Sequence, residues 1–537
     1  MSIKIKIRHK TVQLDGFSIF NVVLISGICL IPLFFKFPYR INLYLAWEGA
    51  YRMLNGEIPF KDFGLPMGYG FWLIPTAFFY IAGPAVHTLL KAQVLINIIS
   101  LAFFWRILNQ FSLNRAVISL SILVMALSFT LPNFWPWYNH STIVYQWIAF
   151  SFAIAYMLQG KYRTMQLVAA GFFTFFSFWT KQDGGGLTFL VILSLLAYHS
   201  ITAREYKGLL IYVSSFVILA VLFIYPVYDY DFNYWFNYSQ PPHYARLSTF
   251  DLVDTLLGDS AWIKFYMLLT LIIGYIQFKK DQWKAFHLDH LFFLFTLGVL
   301  VEALIFQITS YIPRESNIFF HAFAFAFILQ FFSRYVEFKK PLIFGAAVLM
   351  VGLWWLNDPW NKFLRHRVDW SDTDQSGHVI NRHTFIVTAD TTSNDRSGWI
   401  EPNLESFRNV RIPPKTIEGI NNIRDFLEKN NLSQPYVLNM SELTPLNHEF
   451  NFKTDRGQSY PLWFHKGVVL FDREIALYKN KVKNKDYDLI LFEVIPQLNE
   501  FYPSEVRDVI KEHYKLIDTF MAPRIPDNAT IEVYSKK

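Results

Sequence analysis

Between residues 47 and 70 the chain reads WEGAYRMLNGEIPFKDFGLPMGYG. Glu48, Arg52, Glu57, Lys61 and Asp62 crowd this segment, which is apolar on either side. The stretch around Glu48 has helical character, so Tyr51 at i+3 and Arg52 at i+4 share its face. A carboxylate held under an apolar roof near a membrane surface has its proton affinity raised and can act as a general base. Glu48 and Asp62 are the two candidates for that work. The plainer reading is a Glu48–Arg52 pair on a solvated helix face, worth little energetically. Glu302 is a further acid to account for, because it lies inside an apolar run, where an ionisable side chain is functional by default. It could also simply pair with a hydroxyl or a nearby cation.

These residues need a scaffold, and composition says which kind. The chain has 537 residues, 53% hydrophobic and only 17% charged, against about 25% charged in soluble domains. The deficit is confined to 1–357, where apolar runs of membrane length repeat. The first run is 17–35, and no small-residue cleavage site follows it, so it reads as an uncleaved span rather than a signal peptide. The segment 68–83 is interrupted by Pro75 and would be about 24 Å long as a helix, short of a roughly 30 Å bilayer core. If it does not cross, nearly all the basic loop residues fall on one side of the membrane; if it crosses, the basic N-terminus lands opposite the others. The charge bias therefore makes it re-entrant. The expected fold is a polytopic α-helical membrane protein with about eleven spans, re-entrant or juxtamembrane helices in a large first outer loop at 36–87, and a C-terminal α/β domain. The N-terminus is expected to be cytoplasmic and the tail extracytoplasmic. Segment 358–414 reads as a loop-rich linker, and 415–537 alternates helix and strand patterns as a small α/β domain. That tail has no Gly-rich phosphate loop and no clustered His or Cys, so it reads as a lid or scaffold. The net charge of +7 sits in short loops between spans, which excludes nucleic acid as the partner it serves. The only cysteine, Cys29, lies inside the first span and excludes an internal disulfide or a thiolate metal site.

A basic N-terminus, one span and then WEGAYRMLNGEIPFKDFGLPMGYG resemble the first outer loop of GT-C glycosyltransferases, in the bacterial branch related to protein mannosyltransferases and aminoarabinose lipid A transferases. In that pattern an acidic pair follows the first span; here Trp47-Glu48 occupies its place. A span ending in Lys181-Gln182 also resembles the family. The resemblance implies transfer of a sugar, with inversion, from a polyprenyl-phosphate donor to a lipid, glycan or protein acceptor on the outer face of a bacterial inner (plasma) membrane. It makes Glu48 the catalytic base, with Asp62 second. Lys181 and Arg314 are the loop cations best placed to hold the leaving phosphate, with Arg52 a weaker candidate and Gln182 beside Lys181. Metal-using relatives carry a second acid in the next outer loop. This chain has PNFWPWYNHST there, with Asn139 and His140 where an acid would stand, so no metal and no cofactor are expected. His140 is a candidate for a substrate hydrogen bond, or for a packed interfacial histidine. The aromatic loop 228–247 suits either sugar stacking or a membrane interface.

Two other readings fit the spans: a transporter or flippase of lipid-linked sugars, which accounts for Glu302, and an envelope assembly protein with the tail as binding module. The transporter reading does not predict a charged first loop with a re-entrant segment. The sidedness is testable directly. With Cys29 replaced by Ala, a single cysteine at Gly160 should resist a membrane-impermeant thiol reagent in intact cells; labelling from outside overturns the topology.

Overall fold

A computed structural model describes residues 2–7, 10–37, 41–64, 68–131, 133–158, 162–229, 253–279, 283, 285–310, 319–356, 398–457, 471–495, 503–523 and 529–537. The chain opens on an antiparallel hairpin, β1 (Ser2–Ile7) and β2 (Lys10–Asp15). Asp15 then caps the first long helix, α1 (Gly16–Leu30), accepting from the Ser18 amide at 2.9 Å. The hairpin has no counterpart in the sequence reading, which registered only a basic N-terminus.

A helical bundle follows: α2 (Ile41–Leu54), α3 (Leu73–Ala82), α4 (Val86–Gln110), α5 (Arg115–Met125), α6 (Tyr138–Met157), α7 (Arg163–Thr180), α8 (Gln182–Ala203), α9 (Lys207–Ile224), α10 (Ala261–Phe278), α11 (Leu288–Ser310), α12 (Phe319–Phe332) and α13 (Pro341–Trp355). Among the described residues, six helices are long and apolar enough to cross a membrane, and several shorter apolar ones accompany them. α6 runs through the middle of the bundle and is buried along nearly its whole length. That explains why its apolar residues mark no single face. Two of its polar groups are met by neighbouring helices: the Gln146 amide donates to the Gly184 carbonyl at 2.9 Å, and Ser177 donates to the Thr142 carbonyl at 3.0 Å.

The segment expected to be re-entrant consists of a single 3₁₀ turn, Tyr69–Phe71, and the ten residues of α3. A ten-residue helix is about 15 Å long, half the hydrocarbon thickness. α3 packs on α2 and α4, and the Trp72 indole N–H donates to the Leu45 carbonyl at 3.1 Å.

The tail forms a four-stranded mixed sheet in the order β3 (Val437–Met440), β4 (Leu489–Val494), β6 (Thr530–Lys536), β5 (Tyr514–Met521), with only β3 and β4 parallel. The helices are α14 (Pro414–Lys429), the short α15 (Leu446–Glu449), α16 (Phe471–Lys483) and α17 (Ser504–His513). Apart from the single turn of α15, these are the helices and strands that the periodicity of the tail predicts. The described part of the preceding loop-rich stretch, 398–413, is irregular but packed, with Phe407, Val410 and Ile412 fully buried.

The tail does not hang free. Its core is continuous with that of the 36–87 segment: Leu43, Trp47, Phe63 and Trp72 belong to one apolar cluster with Phe407, Ile412, Leu446 and the strands of the sheet. Backbone bonds stitch the join, from Val86 to the Ser406 carbonyl at 2.8 Å and from Arg411 to the Lys36 carbonyl at 2.6 Å. The described residues of segment 36–87 therefore join bundle and tail through a shared buried core.

Gly49 lets that core close, since a Cβ there would come within 2.2 Å of the Trp72 indole nitrogen. Gly49→Ala should cost about 1–3 kcal/mol by overpacking, read as a lowered Tm in detergent. Gly27→Ala, in α1 with nothing within 4 Å of its Cβ, should be neutral or slightly stabilising. Equal melting of the two variants overturns the close packing.

Candidate functional site

The site grows out of the end of α2. The helix stops at Asn55-Gly56, with Gly56 at φ +79°. The Glu57 amide bonds back to the Arg52 carbonyl at 3.0 Å and the Gly56 amide to the Met53 carbonyl at 3.1 Å, which is the Schellman arrangement that a left-handed glycine permits. This reversal swings Glu57 back onto the helix it has just left. Arg52 thereby meets two carboxylates: its Nε donates to Glu48 Oε1 at 3.0 Å, and its Nη1 to Glu57 Oε2 at 2.8 Å. Its Nη2 also lies 3.0 Å from Glu48 Oε1.

The spacing correctly pairs Glu48 with Arg52, but the solvated face of the plainer reading is corrected here. Glu48 is 3% exposed and Arg52 2%: the Phe63 ring lies 5.9 Å from the Arg52 guanidinium, and the tail reaches it through the Asp455 carbonyl. Burial pushes the Glu48 carboxyl above the usual carboxylate range; Arg52 pulls it part of the way back, and Glu57 opposes that pull. Only Oε1 of Glu48 is engaged by Arg52. Its Oε2 accepts no hydrogen bond among the described residues. Such an arrangement holds a carboxylate in one orientation and leaves one oxygen open to a proton.

Asp62 is occupied differently. Its Oδ2 accepts from the Ile58 amide at 2.8 Å and its amide donates to the Ile58 carbonyl at 2.9 Å, so it ties the turn that presents Phe63.

Lys181, at the junction of α7 and α8, is nearly buried and lies 3.2 Å from Asp183. Its Nζ also sits over the rings of Phe306 and Tyr138 at 4.8 and 5.7 Å. Tyr138 contacts Phe71, and Phe71 contacts Trp72. These ring contacts run from Lys181 to Trp72, in the segment that follows Glu48. Gln182 follows it, half-buried, at the start of α8.

His140 is buried on α6. Its Nδ1 is 3.1 Å from Gln93 Nε2, within a chain running through Asn97 to the Asn133 carbonyl, and its ring lies 4.5 Å from Phe129. Asn139 is buried beside it. Glu302, on α11, is fully buried, and Phe306 one turn on reaches Lys181. Arg314 and the aromatic loop beyond Asp229 lie outside the described residues. Among the described residues, no group of three or more His, Cys, Asp or Glu is placed to hold a metal.

Sequence reasoning missed Glu57, Asp455 and Arg456 as members of the site. Arg52 Nη1 donates to the Asp455 carbonyl at 3.0 Å, and Arg456 Nε lies 3.1 Å from Glu57 Oε1. The Asn-Gly helix stop was a signal for Glu57. The two tail residues stand about four hundred positions away, and nothing local announces them.

Removing Arg52 strands two buried carboxylates. Arg52→Met should therefore lower stability by about 3–5 kcal/mol, and adding Glu48→Gln and Glu57→Gln should recover a large part of that loss. Melting in detergent checks both steps; a single variant that melts as the parent does overturns the buried network.

No family model matches the sequence, and no curated protein is detected as a relative. Among solved structures, the chain is similar to ArnT from Cupriavidus metallidurans in the apo state, at 10% identity and a TM-score of 0.48, over 96% of this chain and 98% of that one. It is similar to the same protein bound to undecaprenyl phosphate at 12% identity and a TM-score of 0.41, over 63% of each chain. It is also similar to the Archaeoglobus fulgidus oligosaccharyltransferase, crystallised with Zn and sulfate, at 11% identity and a TM-score of 0.37, over 64% of this chain and 52% of that one. The match thus spans less than two thirds of the oligosaccharyltransferase and of the lipid-bound ArnT chain, and nearly all of the apo chain.

Proposed function

We propose that the protein is a membrane glycosyltransferase that moves a sugar from a polyprenyl-phosphate donor to a hydroxyl acceptor on the extracytoplasmic face, with inversion. One observation carries the reading: Glu48 is buried, oriented by Arg52 through one oxygen, and has its other oxygen open. The motif around it, which resembles the GT-C first loop, supplies the reaction class.

The chemistry follows from the groups present. The acceptor hydroxyl gives its proton to Glu48 Oε2 as its oxygen attacks the anomeric carbon. The new C–O bond forms as the bond from that carbon to the donor phosphate oxygen breaks, and polyprenyl phosphate leaves with the electron pair. Attack opposite the leaving group inverts the centre. A base working near neutral pH benefits from an elevated pKa, because it then holds the proton more firmly in the transition state.

Lys181 and Arg314 are assigned to the leaving phosphate, which draws Lys181 away from Asp183. Asp62 remains the second candidate base, although the turn it closes gives it a structural role as well. Gln182, Asn139 and His140 are assigned to donor or acceptor hydrogen bonds near Lys181, with Arg52 acting on Glu48. The lipid tail of the donor lies against the apolar helices, and the positive-inside bias puts the tail domain and this site outside a bacterial inner membrane.

Glu48→Gln should lower transfer from a polyprenyl-phosphate sugar by about 10²–10⁴ while the protein still expresses and folds, with Tm lowered by the lost Arg52 counter-charge; transfer at the normal rate overturns the assignment. Because the base must be ionised, kcat should fall as pH drops through the raised Glu48 pKa. The acid limb of the pH–rate profile should therefore lie above the ordinary glutamate range, and a flat profile through that range counts against Glu48.

A further inference from the structure

The turn Asp455–Gly457 belongs to the tail, yet its contacts across the join go to the three residues that shape the site. The Asp455 carbonyl accepts from Arg52, the Arg456 guanidinium reaches Glu57, and the Gly457 amide donates to the Asp62 carbonyl at 3.1 Å. A turn between α15 and α16 needs a reason to be stiff enough for this, and Asp455 supplies it. Its carboxylate is fully enclosed, accepting from the hydroxyls of Tyr436 and Tyr487 and from Lys481 Nζ at 2.5 Å. Those three donors come from the start of the sheet, from α16 and from the approach to β4. The carboxylate thus fastens the turn to the body of the tail domain, while its backbone carbonyl holds Arg52.

We propose that this Asp455 box is a positioning device: the tail domain sets the Arg52 guanidinium, and through it the orientation of Glu48. The tail is then a working part of the site and not a passive cover. This rests on the reading of Glu48 as the base. Arg456 completes the device electrically. Two carboxylates face one buried guanidinium, and Arg456, 61% exposed in its side chain, brings the second positive charge from the rim. Among the described residues, the titratable and charged groups around Glu48 are Arg52 and Glu57 from its own segment, Asp455 and Arg456 from the tail turn, and Tyr51, whose ring meets His448 of α15 at 5.7 Å.

The test uses the full chain in detergent or nanodiscs with two conservative variants, Tyr487→Phe and Lys481→Met, neither of which touches Glu48 or substrate. Hydrogen exchange followed by mass spectrometry reads the amides of 48–57, and a pH–rate profile reads the base. The expected result is that exchange at 48–57 rises at least tenfold, that α17 and the sheet keep their protection, and that the acid limb of kcat shifts while KM holds. Arg456→Lys should retain the parental profile and Arg456→Ala should not. Unchanged exchange at 48–57 overturns the proposal, as does raised exchange with an unmoved acid limb. Glu48→Gln tests the base separately: full transfer by that variant defeats the catalytic reading whatever the exchange data show.

Discussion

The structure turns on a buried guanidinium. Arg52 stays protonated at any pH the protein meets, so a fold that buries it must bring it counter-charges and fill its donors. Two partners come from the same helix and its reversal, Glu48 and Glu57; a third, the Asp455 carbonyl, comes from the far end of the chain. Any one of them left unsatisfied would cost several kcal/mol. The end of α2, the Asn-Gly stop and the tail turn are therefore constrained together. What elsewhere would be a mobile loop connecting two spans is held here at core density.

That constraint accounts for the layered arrangement at this end of the bundle. α3 is too short to cross a bilayer and too apolar to lie in water, and the solution is a sandwich. Trp72 crosses from the segment preceding α3 to the backbone of α2, and the Trp47 indole donates to the Pro84 carbonyl at 2.7 Å. The tail supplies the roof through Phe407, Ile412 and Leu446. Ionisable groups enclosed in this way become chemically useful, because removal from water raises the proton affinity of a carboxylate and strengthens its interactions with neighbouring charges. Ring contacts from Trp72 through Phe71 to Tyr138 lead from this pocket to Lys181.

Polar residues elsewhere in the bundle follow the opposite logic. The Gln93, Asn97 and His140 chain satisfies buried polar atoms between α4 and α6, as membrane helices require where no water is available. His140 stands on α6 with its Nδ1 beside Gln93 and Phe129 against its ring.

The sequence by itself determined the class of the protein. Apolar runs of membrane length and the alternating patterns of the tail mark helices and strands that depend on local chain chemistry, and the structure places those helices and strands where the patterns do. It also determined the Glu48–Arg52 pairing, since i and i+4 meet on any helix, and the brevity of α3, since length alone decides whether a helix can cross. The tertiary structure decided what the pairing means. Whether a charged helix face is wet or buried depends on what covers it, and the cover includes Phe63 and a turn about four hundred residues away. Contacts of that range leave no periodicity and no motif, because Asp455 and Arg456 are ordinary surface residues until the sheet, the two tyrosines and Lys481 hold them against Arg52. The base candidate was legible from its spacing; its burial, its orientation and the part the tail plays in both came only from the packed fold.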